Sequence, residues 1–242
     1  DQLDPSLTAR WEEPQIEPDS IALLQYTSGS TAAPRGVMLS HRNMLHNAAI
    51  QRDAWQLTPE SIGVSWLPLF HDLGVITVLL QPVFVGFPTT CMAPLDFLQK
   101  PLRWLKALSH FRGTFSGGPS FAFEINGAEP IRAETLDRFL EAFAPYGFKR
   151  RAFYPCYGMA EANFISGGEL GLPPVVTRFH KEALEHGRAV EAAPGARATV
   201  LVGNGQPRPA EEVLIVDPYT RERGGESQVG EIWIGGPSVA LG

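Results

Sequence analysis

The sequence predicts an α/β fold, in which short buried strands alternate with amphipathic helices. Residues 21–26 form a short apolar run with the length of a buried strand. Residues 132–145 are the clearest helix, because Leu136, Phe139, Leu140 and Phe143 recur at the spacing of one helical face. The chain also has 24 glycines and 21 prolines, which indicates many turns and loops between these elements.

The other elements follow the same alternation. Ser40 is expected to cap a helix, since its hydroxyl can accept a hydrogen bond from an amide of the first turn. Residues 1–19 are polar and predict a linker or irregular entry, and residues 167–205 are rich in glycine and proline and weakly patterned. Strands are predicted at residues 37–39, 62–66, 87–92, 153–157, 213–216 and 231–234, the last two as a hairpin, and helices at 41–55, 73–85 and 101–111.

Composition excludes several functional classes. The net charge is −6 and the longest basic run is only Lys149 to Arg151, so nucleic acid is not an expected partner. Cys91 and Cys156 are far apart, which favours a reducing, cytoplasmic location over a disulfide framework. The most apolar stretch, residues 73–87, is too short to span a bilayer and contains Gln81–Pro82, so stable membrane insertion is not expected.

The segment TSGSTAAPRG, residues 27–36, is the first candidate for chemistry. Its hydroxyls and backbone amides can surround phosphate oxygens, Gly29 permits close approach of the backbone, and Arg35 adds a planar fork of cationic donors. The segment matches neither the Walker A nor the dinucleotide-binding pattern. Taken alone, it fits a phosphate-binding loop or a Ser/Gly-rich surface turn equally well.

Four segments in order carry a family resemblance. TSGSTAAPRG, NGAEP (126–130), YGMAE (157–161) and GEIWIGGP (230–237) resemble the signature motifs of the adenylate-forming enzymes. WLPLFHDLG (66–74), SGGPSFAF (116–123) and FYPCYGMAEA (153–162) resemble the fatty acyl-AMP ligases within that superfamily. The long connection after Glu161, about residues 163–204, resembles the insertion that distinguishes these ligases from acyl-CoA synthetases. The resemblance implies that residues 20–242 are part of the large N-terminal domain, with mixed sheets and flanking helices.

The resemblance also implies an activity, cofactors and partners. A fatty acid carboxylate would attack the α-phosphorus of ATP, pyrophosphate would leave, and the acyl group would pass to an acyl carrier protein or polyketide synthase. An acyl-CoA synthetase and a non-catalytic binding module are the alternatives. ATP and Mg²⁺ are the expected cofactors, with Glu161 as the metal-binding carboxylate. An acid at a helix start, favoured by the helix dipole, is the other interpretation of Glu161.

The remaining site residues are assigned by the same resemblance. His71 would contact the reacting carboxylate; the alternative is a loop histidine that caps nearby backbone. Tyr157 would stack on adenine or serve as a core aromatic. The phosphate-binding set is Thr27, Ser28, Gly29, Ser30, Thr31, Arg35 and Gly36, and the adenine-side set is Gly127, Ala128, Glu129, Tyr157, Gly158, Met159 and Ala160.

Several features depart from the family pattern. Arg35 stands where a lysine is usual, and Ala32 and Ala33 replace a Gly-Thr pair. The ribose-binding aspartate and the C-terminal domain with its catalytic lysine would lie beyond Gly242, so residues 1–242 alone are expected to be weakly active or inactive. Ile125 and Asn126 join two motifs that are further apart in the family, which predicts that a segment is missing there.

Overall fold

The computed structural model describes residues 6, 10–27, 35–118, 125–126 and 129–242, and it confirms the predicted α/β class. In chain order the elements are β1 (Ile21–Thr27), β2 (Arg35–Ser40), α1 (His41–Ala54), β3 (Gly63–Ser65), α2 (Asp72–Gly74), a π-helical turn (Val75–Leu80), α3 (Gln81–Val85), β4 (Thr89–Cys91), α4 (Pro94–Gln99), α5 (Leu102–Phe111), β5 (Gly117–Gly118), β6 (Ile125–Asn126), α6 (Ala133–Phe143), β7 (Tyr154–Met159), β8 (Asn163–Gly167), β9 (Val176–His180), α7 (Lys181–Glu185), β10 (Ala198–Val202), β11 (Gln206–Pro207), β12 (Glu212–Val216) and β13 (Glu231–Gly235).

The chain enters through an antiparallel hairpin of β1 and β2, which leads directly into α1. Ser40 caps α1 as predicted: its Oγ accepts from the amide of Asn43 at 3.1 Å, and Asn43 Oδ1 accepts from the amide of Ser40 at 3.0 Å. This reciprocal pair satisfies two backbone donors that a helix start would otherwise leave unpaired.

A five-stranded mixed sheet in the order β11-β8-β7-β6-β5 forms the centre of the described structure. Strands β5, β6 and β7 are parallel, and β8 runs antiparallel to β7. The predicted strand at 153–157 was too short at its end, because β7 continues through Gly158 to Met159. Strand β8 was not predicted; it pairs with β7 across a short turn.

The predicted helix at 73–85 is present but contains a wide turn. Its middle, Val75–Leu80, is π-helical, and Pro82 lies just beyond it. Proline has no amide hydrogen, so Pro82 cannot donate to the carbonyl one α-helical turn earlier, and a wider turn accommodates this loss. The side chain of Thr77 donates to the carbonyl of Leu73 at 2.7 Å within the same turn.

Two aromatic cores hold these elements together. One lies between α1, the π-helical turn and the central sheet, and includes Trp55, Phe115 and Phe164. The second lies under α5, where Phe97 stacks on Trp66 with ring centroids 3.8 Å apart. The first core matters most for function, because the main cavities border it.

The weakly patterned segment contains an antiparallel pair, β9 with β10, that brackets α7. The insertion-like segment was predicted to begin at about residue 163. It begins later in the structure, because Asn163–Gly167 form β8 of the central sheet. Arg208 directly follows β11, the strand that returns the chain to the central sheet. Its guanidinium donates to the carbonyls of Gly167 and Gly168 and lies 5.7 Å from the ring centroid of Phe164. Arg208 therefore ties the returning chain to the end of β8.

Among the helices in the described part of the chain, none combines the length and apolar character needed to cross a membrane.

Candidate active site

Strand β7 separates two cavities at the centre of the molecule. Cys156, Tyr157 and Gly158 line both of them. We call the cavity that also contacts His71 the His71 cavity, and the one that also contacts Glu129 the Glu129 cavity. The structure thus brings together His71, Tyr157, Gly158 and Glu129, four residues that the sequence assigned to one site.

The His71 cavity has a volume of about 160 Å³ and is lined by both polar and apolar side chains. The polar side chains include His71, Asp72, Gln51 and Asn163. Leu73, Ile76, Trp55 and Phe164 supply the apolar surface. A pocket that combines a few polar groups with an apolar wall suits a ligand with a polar head and an apolar body.

His71 and Asp72 form a close pair on the lining of this cavity. Nδ1 of His71 lies 2.6 Å from Oδ1 of Asp72, and the amide of Leu73 donates to the same oxygen at 2.6 Å. The hydrogen bond to Asp72 and the attraction of its charge raise the pKa of His71 above its ordinary value, against an opposing effect of burial. Burial opposes ionisation of Asp72, but His71 and the Leu73 amide outweigh it, so the pKa of Asp72 is lowered.

His71 also begins α2, where its Nδ1 lies 3.2 Å from the amide nitrogen of Leu73. Nδ1 cannot accept from this amide while it donates its own proton to Asp72, and the shorter distance assigns the amide to Asp72. His71 therefore occupies the N-cap position of α2, but Asp72 accepts the Leu73 amide while His71 is protonated. The His71 ring is half-exposed and borders the cavity.

We expect the His71–Asp72 pair to be visible in a pH titration. The unfolded histidine titrates near pH 6.5, and in the folded pair the pKa is higher. While Asp72 is ionised, the stabilisation is therefore fully present below about pH 6.5 and is lost as the pH rises through the folded value. It is also lost at acid pH as Asp72 is protonated. NMR of the His71 ring should give a pKa above that of an ordinary histidine, and Asp72→Asn should lower it. An unchanged pKa in Asp72→Asn would exclude the pair.

The Glu129 cavity lies on the other face of β7 and has a volume of about 550 Å³. Glu129 and Pro130 line it together with Tyr157 and Gly158, and Ile165 contributes from β8. Tyr157 is half-buried, so part of its ring remains accessible to a ligand. The cavity therefore has one exposed acid, one accessible aromatic ring and apolar walls, which suits a flat heterocycle.

Gly158 is required by close packing between β7 and β8. A Cβ at this position would lie 2.0 Å from the carbonyl oxygen of Asn163, far below the closest contact that real side chains make. Gly158→Ala should therefore displace the turn that joins β7 and β8 and lower the melting temperature. Gly225→Ala is a suitable control, because a Cβ at Gly225 would have no other atom within 4 Å among the described residues. Equal melting temperatures for the two variants would refute the packing argument.

Glu161 lies in the turn between β7 and β8, not at a helix start, so the helix-start interpretation was wrong. The turn is held by its backbone: the amide of Ala240 donates to the carbonyl of Glu161 at 2.7 Å, and the amide of Ala162 donates to that of Met159 at 3.1 Å. Ala160 is buried under β2, packed with Val37 and Leu39. The Glu161 side chain is therefore presented from a fixed backbone.

The predicted phosphate-binding segment begins and ends on the β1–β2 hairpin. Thr27 pairs with Arg35, and Tyr26 pairs with Gly36. The hairpin reaches the His71 segment through Gln25, whose Nε2 donates to the carbonyl of Phe70 at 3.1 Å. Six predicted site residues lie outside the described part of the chain: Ser28, Gly29, Ser30, Thr31, Gly127 and Ala128.

Sequence reasoning missed a row of buried amides on α1. Asn43 Nδ2 donates to the carbonyls of Pro237 and Val239, at 2.8 and 2.9 Å. Asn47 Nδ2 donates to the carbonyl of Phe164 at 2.9 Å, and its Oδ1 accepts from the amide of Phe164 at 3.2 Å. Gln51 continues the row into the His71 cavity. The available signal was the helical spacing of three amide side chains on one face.

The residues present fit Mg²⁺ bound together with a nucleotide. In the described ranges, no three His, Cys, Asp or Glu side chains are placed to hold a metal ion together. Mg²⁺ that accompanies ATP needs only one or two carboxylates, because phosphates and water fill its other positions. A single acid on a fixed turn, Glu161, is such a donor.

Comparisons with known proteins identify the family of the chain. The chain matches the family model described as AMP-binding enzyme over residues 2–125 and 120–242. It is 40% identical to JamA, a medium-chain-fatty-acid–acyl-carrier-protein ligase of Moorena producens, over 268 aligned positions that cover 100% of this chain and 45% of JamA. It is 37% identical to the long-chain-fatty-acid–AMP ligase FadD32 of Mycolicibacterium smegmatis, with 100% and 43% covered.

A solved structure is similar over the whole chain. It is the fatty acyl-adenylate ligase from Legionella pneumophila in complex with acyl adenylate and pyrophosphate, which superposes with a TM-score of 0.93 and 38% identity over 100% of this chain and 46% of that protein. The mixed α/β fold is thus that of the N-terminal domain of adenylate-forming enzymes. The chain belongs to the AMP-binding enzyme family. It spans less than half the length of the relatives named above.

Proposed function

We propose that the protein containing this chain uses ATP to convert a fatty acid into its acyl-adenylate, releasing pyrophosphate. The observation that carries the proposal is the pair of cavities that meet at Tyr157 and Gly158. The Glu129 cavity takes the adenine, the apolar part of the His71 cavity takes the acyl chain, and the reacting carboxylate lies between them, near His71. The Legionella relative, described with acyl adenylate and pyrophosphate, supports this assignment.

The residues of this chain orient the reactants and balance their charge. Because Asp72 favours the protonated form of His71, its ring can donate a hydrogen bond to the fatty acid carboxylate and reduce repulsion from the phosphate. Thr27 and Arg35, which pair across the hairpin, hold the phosphates, and Gly36 follows Arg35 on β2. Met159 and Ala160 fix the backbone that presents Glu161. Mg²⁺, when bound with ATP, supplies positive charge that neutralises the phosphates.

The second step is transfer of the acyl group to the phosphopantetheine thiol of an acyl carrier protein, alone or as part of a polyketide synthase. JamA is described as an acyl-carrier-protein ligase, which supports a carrier as acceptor. An acyl-CoA synthetase remains the second candidate, since CoA presents the same thiol. Side-by-side assays with CoA and with a carrier protein distinguish them. The buried Cys156 and unpaired Cys91 fit the reducing conditions of the cytoplasm, which we propose as its location.

We also propose that a segment present in the relatives is absent between Ile125 and Asn126. The alignment to JamA has 268 positions for the 242 residues of this chain, so at least 26 of those positions lack a residue of this chain. The two matches to the family model also meet at this junction. A peptide from the natural protein in which Ile125 is followed directly by Asn126 would contradict the proposal.

ATP–pyrophosphate exchange by the full-length protein tests the proposed activity. Exchange should require a fatty acid and should not occur with short organic acids such as acetate, because these leave the apolar wall of the His71 cavity unfilled. A non-catalytic binding module would give no exchange with any acid. That result, from a protein that is folded by circular dichroism, would refute the proposal.

A further inference from the structure

Trp55 separates the His71 cavity from a second, wider space. We call this space the Tyr146 groove; Phe143, Tyr146, Phe148 and Leu170 supply its apolar lining. Trp55 lies on the lining of both spaces, and no other described residue does. Trp55 is therefore the described residue that the two linings share.

The Trp55 ring is fixed by packing. Only 8% of the residue is exposed, and its ring lies 5.1 Å from that of Phe164 and 5.6 Å from that of Phe115, measured between centroids. Its amide donates to the carbonyl of Gln51 at 2.9 Å and so holds the residue at the end of α1. The indole Nε1 is buried without a hydrogen-bond partner among the described residues. The Trp55 side chain therefore limits the neighbouring space through its size and shape, not through a hydrogen bond.

The spaces on either side of the ring differ in size. The His71 cavity has a volume of about 160 Å³, and the Tyr146 groove about 660 Å³. His71, Leu73, Ile76 and Trp55 line one cavity, so an acyl chain that starts near His71 and runs along Leu73 and Ile76 would meet Trp55. A longer chain would reach the groove only if this ring were smaller or displaced.

We propose that Trp55 is a specificity-determining residue that sets the longest acyl chain the site accepts. The inference rests on the proposed function, since it assumes that the His71 cavity holds the acyl chain. Protein interiors are close-packed, so a chain that extends past the wall must displace the ring or leave methylene groups in solvent. One methylene group that gains or loses its place in an apolar pocket changes kcat/KM by roughly tenfold or more.

The test is a chain-length profile of the full-length protein, measured by pyrophosphate exchange with saturated fatty acids of increasing length. For each variant, kcat/KM for acids longer than the wild-type optimum is divided by kcat/KM for the optimal acid. In Trp55→Ala this ratio should be at least about tenfold higher than in the wild type. Trp55→Phe keeps most of the wall and loses no hydrogen bond seen in the described structure, so its profile should stay near wild type. If Trp55→Ala does not fold, Trp55→Leu replaces it as the variant with a smaller side chain.

Phe97→Ala is the matched control, because Phe97 is as deeply buried as Trp55 but lines neither space. It should lose stability and keep the wild-type profile. Calorimetric binding of non-hydrolysable acyl-adenylate analogues gives a second readout, in which Trp55→Ala should gain affinity only for the long-chain analogues. A wild-type enzyme that activates fatty acids, with a profile unchanged in Trp55→Ala and Trp55→Leu, would overturn the inference. Absence of fatty acid activation in the wild type would instead refute the proposed function.

Discussion

Glu161→Gln in the full-length protein is expected to reduce fatty-acid-dependent pyrophosphate exchange by about 100-fold or more. The substitution keeps the size of the side chain and removes its charge. In our proposal that charge helps to hold Mg²⁺ with the phosphates, and the loss falls on a step where two anionic reactants meet. The apparent Mg²⁺ concentration for half-maximal exchange should rise as well, which a purely structural role of Glu161 would not produce.

The variant should fold normally. The turn that carries Glu161 is held through its backbone, by the bond from the Ala240 amide and by the packing of Ala160 against β2. Glu141→Gln, at an exposed position on α6, is the matched control and should keep wild-type exchange. Near-wild-type exchange in Glu161→Gln, with an unchanged Mg²⁺ dependence, would remove Glu161 from the site.

Asn47→Leu is expected to lower the free energy of unfolding by about 3 kcal/mol or more. Asn47 is 1% exposed. Its Nδ2 lies within hydrogen-bond distance of the carbonyls of Ala162 and Phe164 and of Ser238 Oγ, and its Oδ1 accepts from the amide of Phe164 and from Gln51. Leucine has a similar size but leaves these buried partners without Asn47, and each unpaired group costs about 1–3 kcal/mol.

Urea denaturation of the full-length protein measures this loss. Gln99→Leu, at an exposed position that ends α4, should change the free energy of unfolding by less than about 0.5 kcal/mol. The two bonds between Asn47 and Phe164 also position the turn that carries Glu161. Asn47→Leu should therefore reduce pyrophosphate exchange even at temperatures where it remains folded. A free energy of unfolding equal to that of Gln99→Leu would show that the amide row contributes little.

The elements predicted correctly are those whose formation depends mainly on nearby residues. The cap at Ser40, the amphipathic helix α6 and the late hairpin of β12 and β13 all depend on neighbours within a few residues or across one turn, and all three are present. The π-helical turn before Pro82 and strand β8 were missed. Strand β8 has few residues, and its place in the sheet depends on pairing with β7, which its own composition does not specify.

The candidate site was predicted as a set of motifs and not as a geometry. Resemblance named His71, Glu129 and Tyr157, but only the fold indicates that Tyr157 borders both cavities and that Asp72 raises the pKa of His71. The partners of Asn47 lie 115 and 117 residues further along the chain, so no local pattern could reveal them. A buried polar row on a helix becomes interpretable only when the carbonyls it satisfies are known.

Mass spectrometry of the reaction products tests the central claim most directly. The full-length protein would be given ATP, Mg²⁺, a series of fatty acids, CoA and a phosphopantetheine-bearing carrier protein. We expect acyl-AMP and pyrophosphate, followed by acylated carrier protein, with little or no acyl-CoA. Absence of acyl-AMP with every fatty acid, from a folded protein that binds ATP, would contradict the account.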